Sequence, residues 1–238
     1  MTKNYKNGKR KNNGKDNGKN NNIIKDIKLK SKRIIITARS DNQKKLLKSI
    51  KDNLVTIVYG PAGTGKTKLA VLNGLRDLLN SKFNKIIFTR PCVEANGEEL
   101  GYLPGDLNEK IHPYMIPIFN FLSEYLSSNQ INELIKEEKI ITLPLAYQRG
   151  ITFSNAFVIL DESQNTLPSQ IRMFLTRIGE NCKIVITGDP DQTDIKGVNG
   201  LSDAIERLDR IYELGIIEMF EEDVIRHPIV KEIEQRYL

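Results

Sequence analysis

From residue 54 onward, short apolar runs alternate with stretches whose apolar residues recur every three or four positions. Five runs have the length and continuity of buried strands: residues 54–59, 85–90, 156–160 leading into Asp161, 183–187 and 216–220. Helical patterns separate them. Leu69, Leu72, Leu75, Leu78 and Leu79 recur over 66–79, while Ile171, Phe174, Leu175 and Ile178 recur over 168–179. Leu201, Ala204, Ile205, Leu208 and Ile211 repeat the pattern. An amphipathic helix with Leu46, Leu47 and Ile50 precedes the first strand, and Ser40 or Asp41 serves as its N-cap. Strands that alternate with helices predict an α/β fold, a parallel sheet covered by helices on both faces. Residues 101–145 interrupt the rhythm with helical stretches, read as an insertion between the second and third strands.

Charge divides the chain. Residues 1–22 hold seven Lys/Arg against one Asp, so the formal excess of +6 sits there, and the remainder balances at 29 basic and 29 acidic residues. This stretch repeats Asn-Gly-Lys three times and has almost nothing to bury. It is expected to be a disordered basic tail, with residues 23–238 as one domain. Its charge suits nucleic-acid phosphates as well as it suits simple solubility. Two cysteines, Cys92 and Cys182, make neither a disulfide framework nor a metal site. No apolar run has the length of a membrane span, and no secretory core follows the basic start. The expected setting is cytoplasmic. Richness in Asn, Lys and Ile fits an AT-rich genome such as that of a phage, whose product would work in the host cytoplasm.

Between the first strand and its helix stands Gly60-Pro61-Ala62-Gly63-Thr64-Gly65-Lys66-Thr67, a complete GxxxxGK[ST] loop. A strand feeding a glycine loop feeding a helix turns backbone N–H groups toward a phosphate chain. Lys66 is placed to reach the β/γ-phosphates and Thr67 to ligate Mg²⁺, so the chain is expected to bind ATP.

The third strand runs straight into Asp161 and Glu162. A hydrolytic site of this type needs one carboxylate to hold the metal and a second to orient the attacking water, and these residues fit in that order. The fourth strand ends in Thr187-Gly188-Asp189, and the nearby Gln192 is the candidate γ-phosphate sensor. Arg226, in Arg226-His227-Pro228, carries the fixed charge that would stabilise phosphoryl transfer. Gln43, at the start of the first helix, is the candidate reader of the adenine edge.

Together these segments resemble the PhoH-like family of ATPases, relatives of superfamily 1 helicases. The carrying residues are Asn42-Gln43, the loop at 60–67, Arg90-Pro91 with Val93-Glu94-Ala95, and Leu103-Pro104-Gly105-Asp106. They continue through Arg149-Gly150, Asp161-Glu162-Ser163-Gln164-Asn165, Thr187-Gly188-Asp189 with Gln192, and Arg226-His227-Pro228. Ser163 stands where the family usually has alanine. The resemblance implies a RecA-like P-loop core, Mg²⁺-dependent ATP hydrolysis and a single-stranded nucleic-acid partner, RNA favoured, with helicase activity in prospect. The rival reading is a nucleotide-dependent binding or assembly module that moves no strand. A metabolic P-loop kinase is disfavoured by the Asp-Glu pair and the sensor glutamine. Superfamily 1 helicases place the nucleotide between two RecA-like domains, whereas the strands here complete only one. A homo-oligomer, a hexameric ring with Arg226 acting on a neighbour's ATP, is therefore expected.

Overall fold

The segment Val-Thr-Ile-Val-Tyr is β-branched or aromatic at every position, and it forms strand β1 (Val55–Tyr59) with four of its five residues buried. The computed structural model describes residues 33–91 and 107–225 with Ile24, Ile27, Ile229 and Arg236; for 107–114 it describes the helical backbone alone. The tail at 1–22, Cys92, most of the Val93–Asp106 stretch quoted above and Arg226 lie outside the described residues.

In chain order β1 is preceded by α1 (Asp41–Asp52) and followed by α2 (Lys66–Leu79), β2 (Lys85–Thr89), α3 (Leu107–Ser123) and α4 (Ser128–Lys136). Then come β3 (Ile140–Thr142), β4 (Ala156–Leu160), α5 (Pro168–Leu175), β5 (Cys182–Gly188), α6 (Gly200–Arg207) and β6 (Leu214–Glu218). Six strands form one sheet in the order β3-β2-β4-β5-β1-β6, and every pairing is parallel.

Because successive strand residues point to opposite faces, the sheet feeds two cores. Val58, Ile86, Phe88, Phe157, Ile159 and Val185 pack under α1–α4, together with Ile24 and Ile27. Ile57, Ile87, Val158, Leu160, Ile184 and Ile186 pack under α5 and α6. Both faces are covered, as the alternation requires.

The sheet differs from expectation in detail. It has a sixth strand, since Ile140–Thr142 of the predicted helical insertion adds to the free edge of β2. The last strand is Leu214–Glu218 rather than 216–220, because its register on β1 pairs Leu214 with Val55 and Glu218 with Tyr59. Helix α5 stops at Leu175; Ile178, which fitted its periodicity, instead bridges to Phe153 beside the sheet. Ser40 is the N-cap of α1, its hydroxyl accepting from the Gln43 N–H at 3.2 Å.

Candidate functional site

Parallel registers bring the C-terminal ends of the strands to one edge, where Tyr59 pairs with Gly188 and Thr89 with Leu160. Ligands of open α/β sheets lie beyond that edge. A cavity of about 720 Å³ opens there, lined among others by Gly63, Gly65, Lys66, Thr67, Arg90, Asp161, Glu162, Asp189 and Gln192. Its volume suits a nucleotide-sized ligand.

The loop from Gly60 to Thr67 turns on glycines at positive φ. Gly60, at φ 129°, lies so close to the segment just after β6 that a Cβ there would stand 2.1 Å from the Met219 carbonyl oxygen. Gly65, at φ 86°, is the N-cap of α2 and brings no capping side chain, so the first turn of the helix faces the cavity through its backbone. Lys66 is buried and donates from Nζ to the carbonyls of Gly60 at 2.5 Å and Pro61 at 2.7 Å. Its ammonium is thus held inside the loop that a phosphate chain would occupy.

At the tip of β4 the two acids part company. Asp161 is 2% exposed and its carboxylate is fully engaged: Oδ1 accepts from Thr67 Oγ1 at 2.8 Å and from Thr187 Oγ1 at 2.5 Å. Oδ2 accepts from Arg90 Nε at 3.0 Å and Arg90 Nη2 at 2.5 Å. Glu162 adopts the left-handed conformation at φ 55°, unusual for a residue with a Cβ, and this turn leaves its side chain half exposed on the cavity. One acid is therefore buried beside the loop threonine, and the next faces solvent where a water would approach.

Gln192 also lines the cavity, and its Nε2 donates to Asp189 Oδ2 at 2.7 Å. Gln43 borders the cavity but is 2% exposed, and its amide is bonded at both ends: Nε2 donates to the Thr64 carbonyl and Oε1 accepts from the Arg39 N–H, each at 2.8 Å. It therefore braces the phosphate loop against α1, an occupation the sequence did not announce.

The loop is also held from the C-terminal side. The Ile225 N–H donates to the Gly63 carbonyl at 3.1 Å, and Asn42 Nδ2 donates to Asp223 Oδ2 at 2.9 Å. Burial alone would raise the Asp223 carboxyl. Hydrogen bonds from Ser40, the Phe220 N–H and Asn42, with the charge of Lys45, outweigh it and hold the carboxyl below its ordinary range.

Two residues that hold the acids carried no role in the sequence. Arg90, the last residue of the first run after the loop helix, sits on Asp161. Gln164 is buried, donates from Nε2 to Glu162 Oε2 at 2.7 Å and accepts the Asp189 N–H at 3.1 Å, tying the tip of β4 to that of β5. Both stood among the residues that carried the resemblance; the signal for their role was position, a charged or amide side chain within a few residues of a strand's C-terminal end. Ser163 is buried and donates to the Thr187 carbonyl at 2.8 Å.

The donor set fits Mg²⁺. A hydroxyl and a carboxylate oxygen, both hard ligands, already lie 2.8 Å apart at Thr67 and Asp161, and magnesium typically takes few protein ligands beside substrate phosphates. Among the described residues there is no cluster of three or more His, Cys, Asp or Glu of the kind that cages other metals, and no helix long and apolar enough to cross a membrane.

Residues 35–238 match the family model described as PhoH-like protein. A PhoH-like protein of Bacillus subtilis is 46% identical over 217 residues, covering 90% of this chain and 66% of its own length. One from Synechocystis is 43% identical over 205 residues, covering 85% of this chain and 62% of its own length. The chain thus spans less than two thirds of these relatives. Among solved structures, the large terminase of a thermophilic bacteriophage, in complex with ADP, superposes with a TM-score of 0.52 at 14% identity. The match covers 84% of this chain and 50% of that one, a likeness of fold.

Proposed function

The chain belongs to the PhoH-like protein family, and from that membership and the cavity's geometry we propose that it hydrolyses ATP with Mg²⁺ and couples turnover to single-stranded nucleic acid, RNA in preference to DNA. The fold is a RecA-like P-loop core, and what carries the proposal is the meeting of Thr67 and Asp161 beneath a cavity that also holds Lys66, Glu162 and Gln192.

In this reading the loop residues 60–67 take the phosphates through backbone N–H groups, and Lys66 exchanges its loop carbonyls for phosphate oxygens. Thr67 and Asp161 hold the cation, which when bound neutralises charge on the phosphates. Glu162 orients the attacking water, Gln192 lies beside the γ-phosphate, and Gln43, besides bracing the loop, presents its amide to the adenine edge. The basic residues of 1–22 add affinity for nucleic-acid phosphates. The proposed active form is a homo-oligomer, a hexameric ring, in which Arg226 completes the neighbouring site.

Phosphate release measured with and without single-stranded RNA and DNA tests the proposal. Stimulation by RNA above DNA is the expected result. Turnover that ignores both strands would replace nucleic-acid coupling with a nucleotide-switched binding module, and absence of turnover would remove the ATPase reading altogether.

A further inference from the structure

The sheet register pairs Thr89 of β2 with Leu160 of β4, so the residues that follow, Arg90 and Asp161, leave the sheet side by side at the cavity edge. The Asp161 N–H donates to the Thr89 carbonyl at 2.9 Å, which fixes the two backbones at that point. Across the junction Arg90 sends both Nε and Nη2 to one oxygen of Asp161, Oδ2, and Nη2 also stands 3.9 Å from Glu162 Oε1.

Among the described residues this is the most buried ion pair, ahead of Arg76–Asp77 at 39% and 8% exposed. The Arg90 and Asp161 side chains are 14% and 3% exposed, whereas those of Lys44 and Asp41 are 68% and 85% exposed. Exposed pairs contribute little, but a buried carboxylate depends on every donor it has. The division of Asp161 is also specific. Oδ2 belongs to Arg90, and Oδ1 to the hydroxyls of Thr67 and Thr187, so the plane of the carboxylate is set by donors on both sides. Oδ1 is thereby kept on the side of Thr67, its partner in holding a cation.

We propose that Arg90 is a positioning residue of the nucleotide site: by holding Oδ2 of Asp161 it keeps Oδ1 turned to Thr67 and sets the affinity of the site for the divalent cation that accompanies the nucleotide. The inference rests on the ATPase reading for its ligand but not on turnover for its test. Two effects oppose each other when Arg90 is lost. Removing a positive charge favours a second cation, while releasing the carboxylate disfavours it. Arg90→Lys separates them, because lysine keeps the charge but lacks the planar edge that places two N–H groups on one oxygen.

The experiment titrates Mg²⁺ against a fluorescent ADP analogue bound to the full chain, wild type and Arg90→Lys, with thermal melting as the check on folding. Arg90→Lys is expected to need at least about tenfold more Mg²⁺ for half-maximal binding, as when a partner of a metal ligand is removed. Metal-free nucleotide affinity should stay within about twofold. A folded Arg90→Lys protein with the wild-type Mg²⁺ requirement, or a lower one, overturns the proposal. A wild type that binds Mg²⁺ and nucleotide without hydrolysing ATP would sink the ATPase reading and leave this test intact.

Discussion

Thr67 and Asp161 are separated by 94 positions in the chain, yet the Thr67 hydroxyl donates to Asp161 Oδ1 at 2.8 Å. The first residue belongs to the phosphate loop after β1 and the second to the end of β4, and β5 lies between those strands in the sheet. β5 joins the contact too: Thr187 donates to the same oxygen. The loop after β1, the ends of β4 and β5 and Arg90 just after β2 thus converge on one carboxylate, and the chemistry proposed here depends on that convergence.

The two ends of the phosphate chain should respond differently to mutation. Lys66→Ala is expected to weaken nucleotide binding, because the phosphate charge loses its partner. Glu162→Gln should bind ATP normally and hydrolyse it at least about a hundredfold more slowly, the loss expected when a positioned base is removed. Steady-state turnover and equilibrium affinity, measured side by side, check both. Near-normal turnover by Glu162→Gln would withdraw its assignment.

Gln164 acts only through what it holds. Gln164→Leu leaves Glu162 without its amide partner and uncouples it from the Asp189 backbone. We expect kcat to drop about tenfold or more, from misplacement of the acid, with KM for ATP within about twofold. A rise in KM at constant kcat would show that Gln164 shapes the binding cavity instead.

The ring reading makes its own demand. Arg226→Ala and Glu162→Gln subunits should each form nearly inactive homo-oligomers, yet mixing them creates sites with both residues intact if Arg226 serves a neighbour. Recovered ATPase activity supports action across the interface. Well-mixed oligomers without recovery, or a fully active monomer, would exclude it.

Cys182 offers a check on packing away from the site. Burial pushes its thiol up to about 11, against 9.0 for a free thiol, although a hydrogen bond to the Gly179 backbone lowers it slightly. The folded state therefore retains a proton that the unfolded state releases, and this contribution to stability is present below pH 9 and lost as pH rises toward 11. In a Cys92→Ser background, alkylation at pH 8.5 should be slow for folded protein and fast in urea. Comparable rates in the two states would contradict the packing around β5.

What the sequence determined is what neighbouring residues decide together. The glycine spacing of 60–67 specifies a phosphate loop because its turns need positive φ within a few residues, and the apolar runs at 54–59 and 156–160 yield the strands 55–59 and 156–160, buried at every position but Tyr59. Asp161 and Glu162 were legible for the same reason, as charges at the end of such a run. Tertiary structure decided the rest. Ile140–Thr142 is too short to declare itself and is a strand only because β2 offers an edge. The sequence distinguished neither the buried acid from the exposed one nor the partners that set them apart. That difference comes from a left-handed turn at Glu162 and from Arg90, 71 residues before Asp161 in the chain, brought beside it by strand register. Gln43 was legible as a candidate for the cavity edge, where it lies, but its bonds to the Thr64 carbonyl and the Arg39 N–H were not. Periodicity reports which face a residue occupies; which distant group it meets there follows from how the strands align.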